Sequence, residues 1–173
     1  MAGDKLLPNE SIVMLCRRLP RLDLPGRTYF LGCNLEQRRR YLAHPELAEL
    51  MIQLYVAERD RGGIALHAYV VMPDHYHVLL TLEQTTSISA VVRKAHSLFA
   101  PQCRELFGPQ RRIWQRRFYD HVIRDDEDLH ERWGYIHYNP VKAGLVTDAI
   151  KYRWSSCAYW ETGVGPVICD PTR

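Results

Sequence analysis

No stretch of the sequence approaches the ~20 consecutive apolar residues that a membrane-spanning helix needs, which excludes a protein of that kind. The opening MAGDKLLPNESIVMLCRRLP lacks the pattern of a signal peptide, because its apolar run Ile12–Cys16 is short and follows polar residues. From both absences we expect a soluble, cytoplasmic protein with no membrane partner. Cysteine is sparse: Cys16, Cys33, Cys103, Cys157 and Cys169 include no C-x-x-C pair, and their number is odd. That argues against a disulfide framework and a zinc cluster, and leaves reduced, mostly buried thiols. Repeats and low-complexity linkers are missing. So is a strong charge of either sign: 23 basic against 20 acidic residues leave +3, which permits a nucleic-acid partner without arguing for one. What is present is the composition of one ordinary globular domain, 46% hydrophobic and 25% charged over 173 residues, enough for a real core.

Residues 1–26 have weak periodicity and several prolines and arginines, and read as a lead-in arm. Residues 27–160 carry the periodic segments, and 161–173 read as a tail. Arg27–Leu35 (RTYFLGCNL) predicts a first strand, aromatic and bounded by Gly26. Pro45–Arg59 predicts a helix, with Leu47, Leu50, Met51, Leu54 and Tyr55 at helical spacing and Gly62–Gly63 behind it. IALHAYVVMPDHYHVLLTL predicts two strands around a tight corner at Met72–Pro73–Asp74. Thr85–Phe107 predicts a second helix, with Ile88, Val91, Val92, Ala95, Leu98 and Phe99 on one face and Gly108–Pro109 as its stop. Ile113–Arg124 predicts a fourth strand. A third helix is expected from Asp125 or Asp126 to about Asn139, because Pro140 disfavours helical backbone at the residue before it. This order predicts an α+β fold: a ferredoxin-like split β-α-β antiparallel sheet with helices on one face and an added C-terminal helix.

Two motifs carry chemistry. His75 and His77 lie two apart on a predicted strand and so point to one face, opposite the apolar Tyr76, Val78 and Leu80. Two imidazoles on a rigid element can hold one divalent metal, and a metal there can act as a Lewis acid on a phosphoryl or carbonyl oxygen. Such a face needs a covering element. An H-x-H pair alone is more often a pair of polar-face histidines or core histidines satisfied by hydrogen bonds. In WGYIHYNPVKAG, Tyr135 and Asn139 are four apart and share a helix face. Asn139 can add an oxygen ligand, and Tyr135 can present a phenol beside it. The bland alternatives are that Asn139 ends the helix and that Tyr135 packs, and spacing leaves His137 and Tyr138 as rivals. A phenol has a pKa near ~10 and needs a nearby cation or base to act as nucleophile. Its phosphodiester conserves the bond energy, which suits strand transfer more than hydrolysis.

Taken together and in this order, VVMPDHYHVLLTL, IWQRRFYDHVIR, YIHYNPVKAGLV and YRWSS, with the early TYFLGCNLEQRR, resemble the HUH endonucleases, specifically the single-tyrosine transposases and within them the REP-associated tyrosine transposases of bacteria. The resemblance covers roughly residues 27–156. It implies a ferredoxin-like core, with the nucleophile on the added helix, and a divalent metal, Mg2+ or Mn2+, held by His75, His77 and Asn139. It implies Tyr135 as nucleophile and a 5′-phosphotyrosine intermediate. Insertion-sequence relatives typically carry glutamine at the third ligand, so asparagine points to the REP-associated branch, whose members act on palindromic repeats between genes. The implied partner is single-stranded hairpin DNA, and the implied location the bacterial nucleoid. The arm, with Arg17, Arg18 and Arg21, departs from the family's shorter starts.

Arg111, Arg112, Arg116, Arg117 and Arg124 interleave with Trp114, Phe118 and Tyr119, a pattern in which cations meet phosphates and aromatics stack on unpaired bases. Lys142 follows the tyrosine helix and is a further candidate for DNA contact. Arg38, Arg39 and Arg40 form another cluster, read as surface. One tyrosine per chain gives one nick per monomer, so strand exchange implies a homodimer or two successive reactions by a monomer. Two other readings stay open on sequence: a hairpin-binding regulator with little or no cleavage, and a small metal-dependent hydrolase acting on a substrate other than nucleic acid.

Overall fold

Strand and helix follow one another as the hydrophobic periods dictate: β1 (Thr28–Asn34), α1 (Pro45–Asp60), β2 (Ile64–Met72), β3 (His75–Leu82), α2 (Ile88–Phe107), β4 (Tyr119–Val122), α3 (Asp126–Lys142) and a short α4 (Cys157–Thr162). These are elements of a computed structural model, which describes residues 23–83 and 86–172. The arm's arginines therefore lie outside the described residues, as does the expected α2 start at Thr85. The described helix begins after Ser87, whose Oγ accepts from the Ala90 N–H at 3.0 Å. Among the described residues no helix is long and apolar enough to cross a membrane. Among the described residues Cys33, Cys103, Cys157 and Cys169 are buried and none is in a disulfide.

The sheet order is β2-β3-β1-β4, every neighbouring pair antiparallel. This is the split β-α-β arrangement that the element order predicts. α1 and α2 pack on one face through Leu47, Met51 and Tyr55 and through Val91, Val92 and Phe99, against Tyr29, Leu31, Leu66, Val71, Val78 and Leu80. Leu98, expected on that face, is 52% exposed. α3 covers the opposite face, where Ile136 packs on Phe30, Ala68, Val70, Met72 and Leu79. β2 serves both faces in a way that simple alternation does not give. Ile64 and Leu66 face the helix pair, but so do Tyr69 and Val71, because the register shifts between Leu66 and Ala68. The extra residue is His67, a buried bulge whose ring bridges the Asp170 carbonyl at 2.9 Å and Thr81 Oγ1 at 2.8 Å.

Two sequence expectations need correction. The fourth strand is not Ile113–Arg124: only Tyr119–Val122 pairs with β1, while Trp114 makes an isolated bridge to Leu35. Ile113 and Trp114 are drawn into the core and Arg116 and Arg117 stay in solvent, so the chain peels off the sheet between them. α3 does not stop at Asn139 but runs through Pro140 to Lys142. The carbonyls of its last turn are taken by later N–H groups, Ala143 to Asn139 at 2.9 Å and Leu145 to Pro140 at 2.9 Å, so the turn closes around the buried proline.

The free edge of β2 is occupied by the chain's C-terminal part. Val71 N–H donates to the Trp154 carbonyl at 2.8 Å and Ser156 N–H to the Tyr69 carbonyl at 3.0 Å. Farther along, Leu66 and Asp170 exchange two bonds of 2.8 Å, one through the Asp170 carboxylate. An edge covered this way offers no template for another strand.

Candidate active site

Antiparallel register lays out the face beneath α3 as rungs. His75 lies opposite Asn34, His77 opposite Gly32 and then Tyr119, and Leu79 opposite Phe30 and then His121. The two histidines share this face, as the period of a strand requires. Their rings meet edge to face at 5.0 Å, and His77 stacks on Phe30 at 5.1 Å. The stack depends on Gly32. A Cβ there would sit 3.1 Å from His77 Cε1 and Nδ1, closer than side chains ordinarily approach, so glycine makes room for the ring.

Both imidazoles are held by the same nitrogen. His75 Nδ1 lies 2.6 Å from Asp74 Oδ1, and His77 Nδ1 lies 3.3 Å from the Leu31 carbonyl. Each acceptor fixes the proton on Nδ1 and leaves the Nε2 lone pair pointing away. His77 Nε2 is buried and has no hydrogen-bond partner. Burial lowers the pKa of His75 and, with the neighbouring His75, brings that of His77 down to about 3, so both rings are neutral at physiological pH. Neutral imidazoles with matched tautomers and an orphaned Nε2 are a donor set that suits a divalent cation. Among the described residues no group of three His, Cys, Asp or Glu side chains could hold a metal. A third protein ligand from the described residues would be of another type, and the buried Asn139 carries a side-chain oxygen that could serve.

α3 brings Tyr135 and Asn139 to this face. Asp125 caps its start, accepting from the Asp128 N–H at 2.9 Å. Asp128 is nearly buried and gathers His121 at 2.7 Å, Arg124 at 3.3 Å and Arg132 at 3.4 Å. Burial alone would raise its pKa; the hydrogen bonds from His121 and Arg124 outweigh that and hold the carboxyl at about 2. Near the other end, His137 Nε2 shares a 2.9 Å hydrogen bond with Ser156 Oγ, which also accepts from the Tyr69 N–H at 3.0 Å. Pinned at both ends, the helix sets Tyr135 edge-on to His77 at 5.1 Å and to Phe30 at 5.7 Å. The phenol is 41% exposed and opens into a cleft of about 640 Å³. Asn139, His75, Asp74, Arg38, Arg40 and Lys142 also line it.

The rival residues fall elsewhere. His137 is buried against Ser156, and Tyr138 lines a separate groove with Trp133, Val141 and Ile150. Of the arginines read as DNA contacts, Arg111 and Arg112 line a second polar cavity of about 400 Å³ with Arg39 and Gln110, apart from the cleft. Arg112 pairs with Glu36 at 3.5 Å, and Arg124 is tied to Asp128. Arg116 and Arg117 are exposed just before β4. The Arg38–Arg40 cluster is more than surface, since Arg38 and Arg40 line the cleft.

The sequence matches the family model described as Transposase IS200 like over residues 33–139, a span that contains both motifs. The chain belongs to this family. The transposase is 32% identical over 137 residues to the REP-associated tyrosine transposase of Escherichia coli, covering 79% of each chain. It is 38% identical over 142 residues to a Haemophilus influenzae homologue named for the same group, covering 76% of this chain and 80% of that one. A solved structure of a REP-associated tyrosine transposase bound to a REP hairpin matches with a TM-score of 0.69 at 27% identity, covering 90% of this chain and 93% of that chain. The resemblance read from the motifs is thus borne out. Sequence reasoning about the transposase missed four residues at the site, Arg40 among them as part of a cluster read as surface. Asp74 passed as a turn residue, Arg38 as surface, and Gly32 as an ordinary strand position, although a glycine inside a strand signals a close approach.

Proposed function

We propose that this transposase nicks and rejoins single-stranded DNA carrying a REP-like hairpin, with Tyr135 as nucleophile and with His75, His77 and Asn139 as ligands of a divalent cation, Mg2+ or Mn2+. The observation that carries the reading is the buried, partnerless Nε2 of His77 beneath the ring of Tyr135. It combines with family membership and with a relative solved on a REP hairpin. The bound ion would supply Lewis-acid polarisation of the scissile phosphate.

The chain's own residues do the rest. The cleft's Arg38, Arg40 and Lys142 supply positive charge where a phosphodiester would lie. The ring of Tyr135, braced by Phe30 and His77, keeps its oxygen at the cleft wall, so little orientational freedom is lost on attack. Tyr135 Oη forms a bond to phosphorus and loses its proton; the bond to the 3′ oxygen breaks, and that oxygen gains a proton as it leaves. The reverse reaction reseals the strand.

The test is incubation of the full chain with a labelled hairpin oligonucleotide bearing single-stranded flanks, with Mn2+ present. A covalent protein–DNA adduct should appear on a denaturing gel and vanish in Tyr135→Phe. An adduct that persists in that variant rules out the assignment.

A further inference from the structure

Tyr119 stands out on the face that carries the histidines. It belongs to a β-strand, yet it is 53% exposed. Of the three aromatics in its stretch, Trp114 is buried and stacked on His96 at 4.0 Å, and Phe118 packs against the core of the helix pair. Tyr119 alone of these presents its ring to solvent. It sits on the rung of His77, with Gly32 between them. Glycine raises no side chain there, and the His77 ring and Tyr119 Cβ lean over it from either side: a Cβ on Gly32 would lie 3.1 Å from the imidazole and 3.7 Å from Tyr119 Cβ. Two interstrand spacings separate the two positions, about 10 Å.

The same ring braces both tyrosines. Phe30 meets Tyr119 edge to face at 6.0 Å and Tyr135 at 5.7 Å, so the exposed ring and the nucleophile are registered on one support. Arg116 and Arg117, both exposed, stand three and two residues before Tyr119 and provide cations for a strand that passes over it. Resting on the function proposed above, we infer that Tyr119 is the stacking seat for the unpaired base directly beside the scissile phosphate. Stacking on a tyrosine is tolerant of base identity, so this subsite would recognise that a base is unpaired rather than which base it is.

The experiment uses the full chain and the hairpin oligonucleotide, with 2-aminopurine placed in turn on each side of the cleavage position mapped from the Tyr135 adduct. Wild type and Tyr119→Phe should quench the probe at one of the two positions. Tyr119→Ala should restore the fluorescence of the free strand there and weaken binding about 5- to 150-fold. An abasic nucleotide at that position should weaken wild type by a similar factor and leave Tyr119→Ala unaffected. Equal melting temperatures for the two variants show that both are folded. Quenching that survives in Tyr119→Ala, or binding losses that multiply when the variant meets the abasic strand, overturns the stacking seat while leaving the proposed cleavage intact. An adduct that persists in Tyr135→Phe and is lost in Tyr119→Phe overturns it too, by making Tyr119 the nucleophile. If wild type binds no hairpin DNA, the proposed function falls and the subsite with it.

Discussion

His75 can offer only one nitrogen to the cleft, because its Nδ1 lies 2.6 Å from Asp74 Oδ1. Asp74 is itself held: Arg38 Nε lies 2.8 Å from its other oxygen, and Arg38 also donates to Asn34. To reach this position the chain places both Gln37 and Arg38 in the left-handed region, at φ of 56° and 54°, an uncommon conformation for residues with side chains. A carboxylate behind a metal-ligating histidine fixes its tautomer and raises its basicity, and losing such a partner typically weakens metal binding about 10- to 100-fold. Asp74→Ala should therefore weaken Mn2+ binding by that factor, read from the free-ion signal in an electron paramagnetic resonance titration without DNA. Nitrogen-15 spectra of His75 should show its ring exchanging between tautomers. Unchanged affinity with a fixed tautomer would mean that Asp74 serves the turn alone. The pairing of His75 with His77 was legible because a strand has a period of two. The support from Asp74 and Arg38 was not, since it depends on two left-handed residues that no hydrophobic pattern announces.

At the scale of elements, the position of Tyr135 depends on how α3 is fastened to the sheet. One fastening is Ile136 packed on Phe30 and Leu79; the other is Ser156 Oγ, between His137 Nε2 and the Tyr69 backbone of β2. Ser156→Ala leaves a buried imidazole nitrogen and a buried N–H without partners, which costs about 1–3 kcal/mol for each. Urea unfolding should show a lower midpoint with an unchanged slope, and adduct formation should fall in the folded variant. A midpoint equal to that of wild type would show that apolar packing alone holds the helix. α3 itself was readable from its acidic start and its spacing, but its end was not. Pro140 signals a stop, whereas the tertiary structure buries the proline and closes the turn beyond it. β4 failed in the opposite direction. Its alternating aromatics and arginines suggest a long strand, but Trp114 is drawn into the core, stacked on His96, and only its single bridge to Leu35 continues the pairing there. The bulge at His67 reverses the in-out pattern of β2 without any residue that marks it.

Across the whole molecule, buried neutral histidines set the response to acid. Burial lowers the pKa of His96, on α2 beneath Trp114, to about 3 and that of His137, on α3, to about 4. His77 on β3, also at about 3, joins them in protein kept free of metal. In the unfolded chain each would titrate near 6.5. Below that pH the unfolded state binds protons that the folded state refuses, so the stability these groups contribute is complete above 6.5 and is lost as pH falls toward 3–4. Each histidine removes up to about 1.4 kcal/mol per pH unit inside that window. Three together remove roughly 4 kcal/mol per unit, against a total stability on the order of 5–15 kcal/mol. Asp128 acts lower down: its carboxyl, held at about 2, contributes stability that is present above its ordinary 3.8 and fades only below it. The melting temperature measured with chelator should therefore be nearly level above pH 7, drop steeply between 6.5 and 5, and leave the chain unfolded before Asp128 is protonated. Asp128→Asn should lower the whole curve without changing its slope in that window, whereas His96→Gln should make the slope shallower by about a third. A melting temperature that stays level from pH 7 to 5 would mean that water reaches these rings, and that the closed seating of α2 and α3 on the two faces of the sheet is looser than their packing indicates.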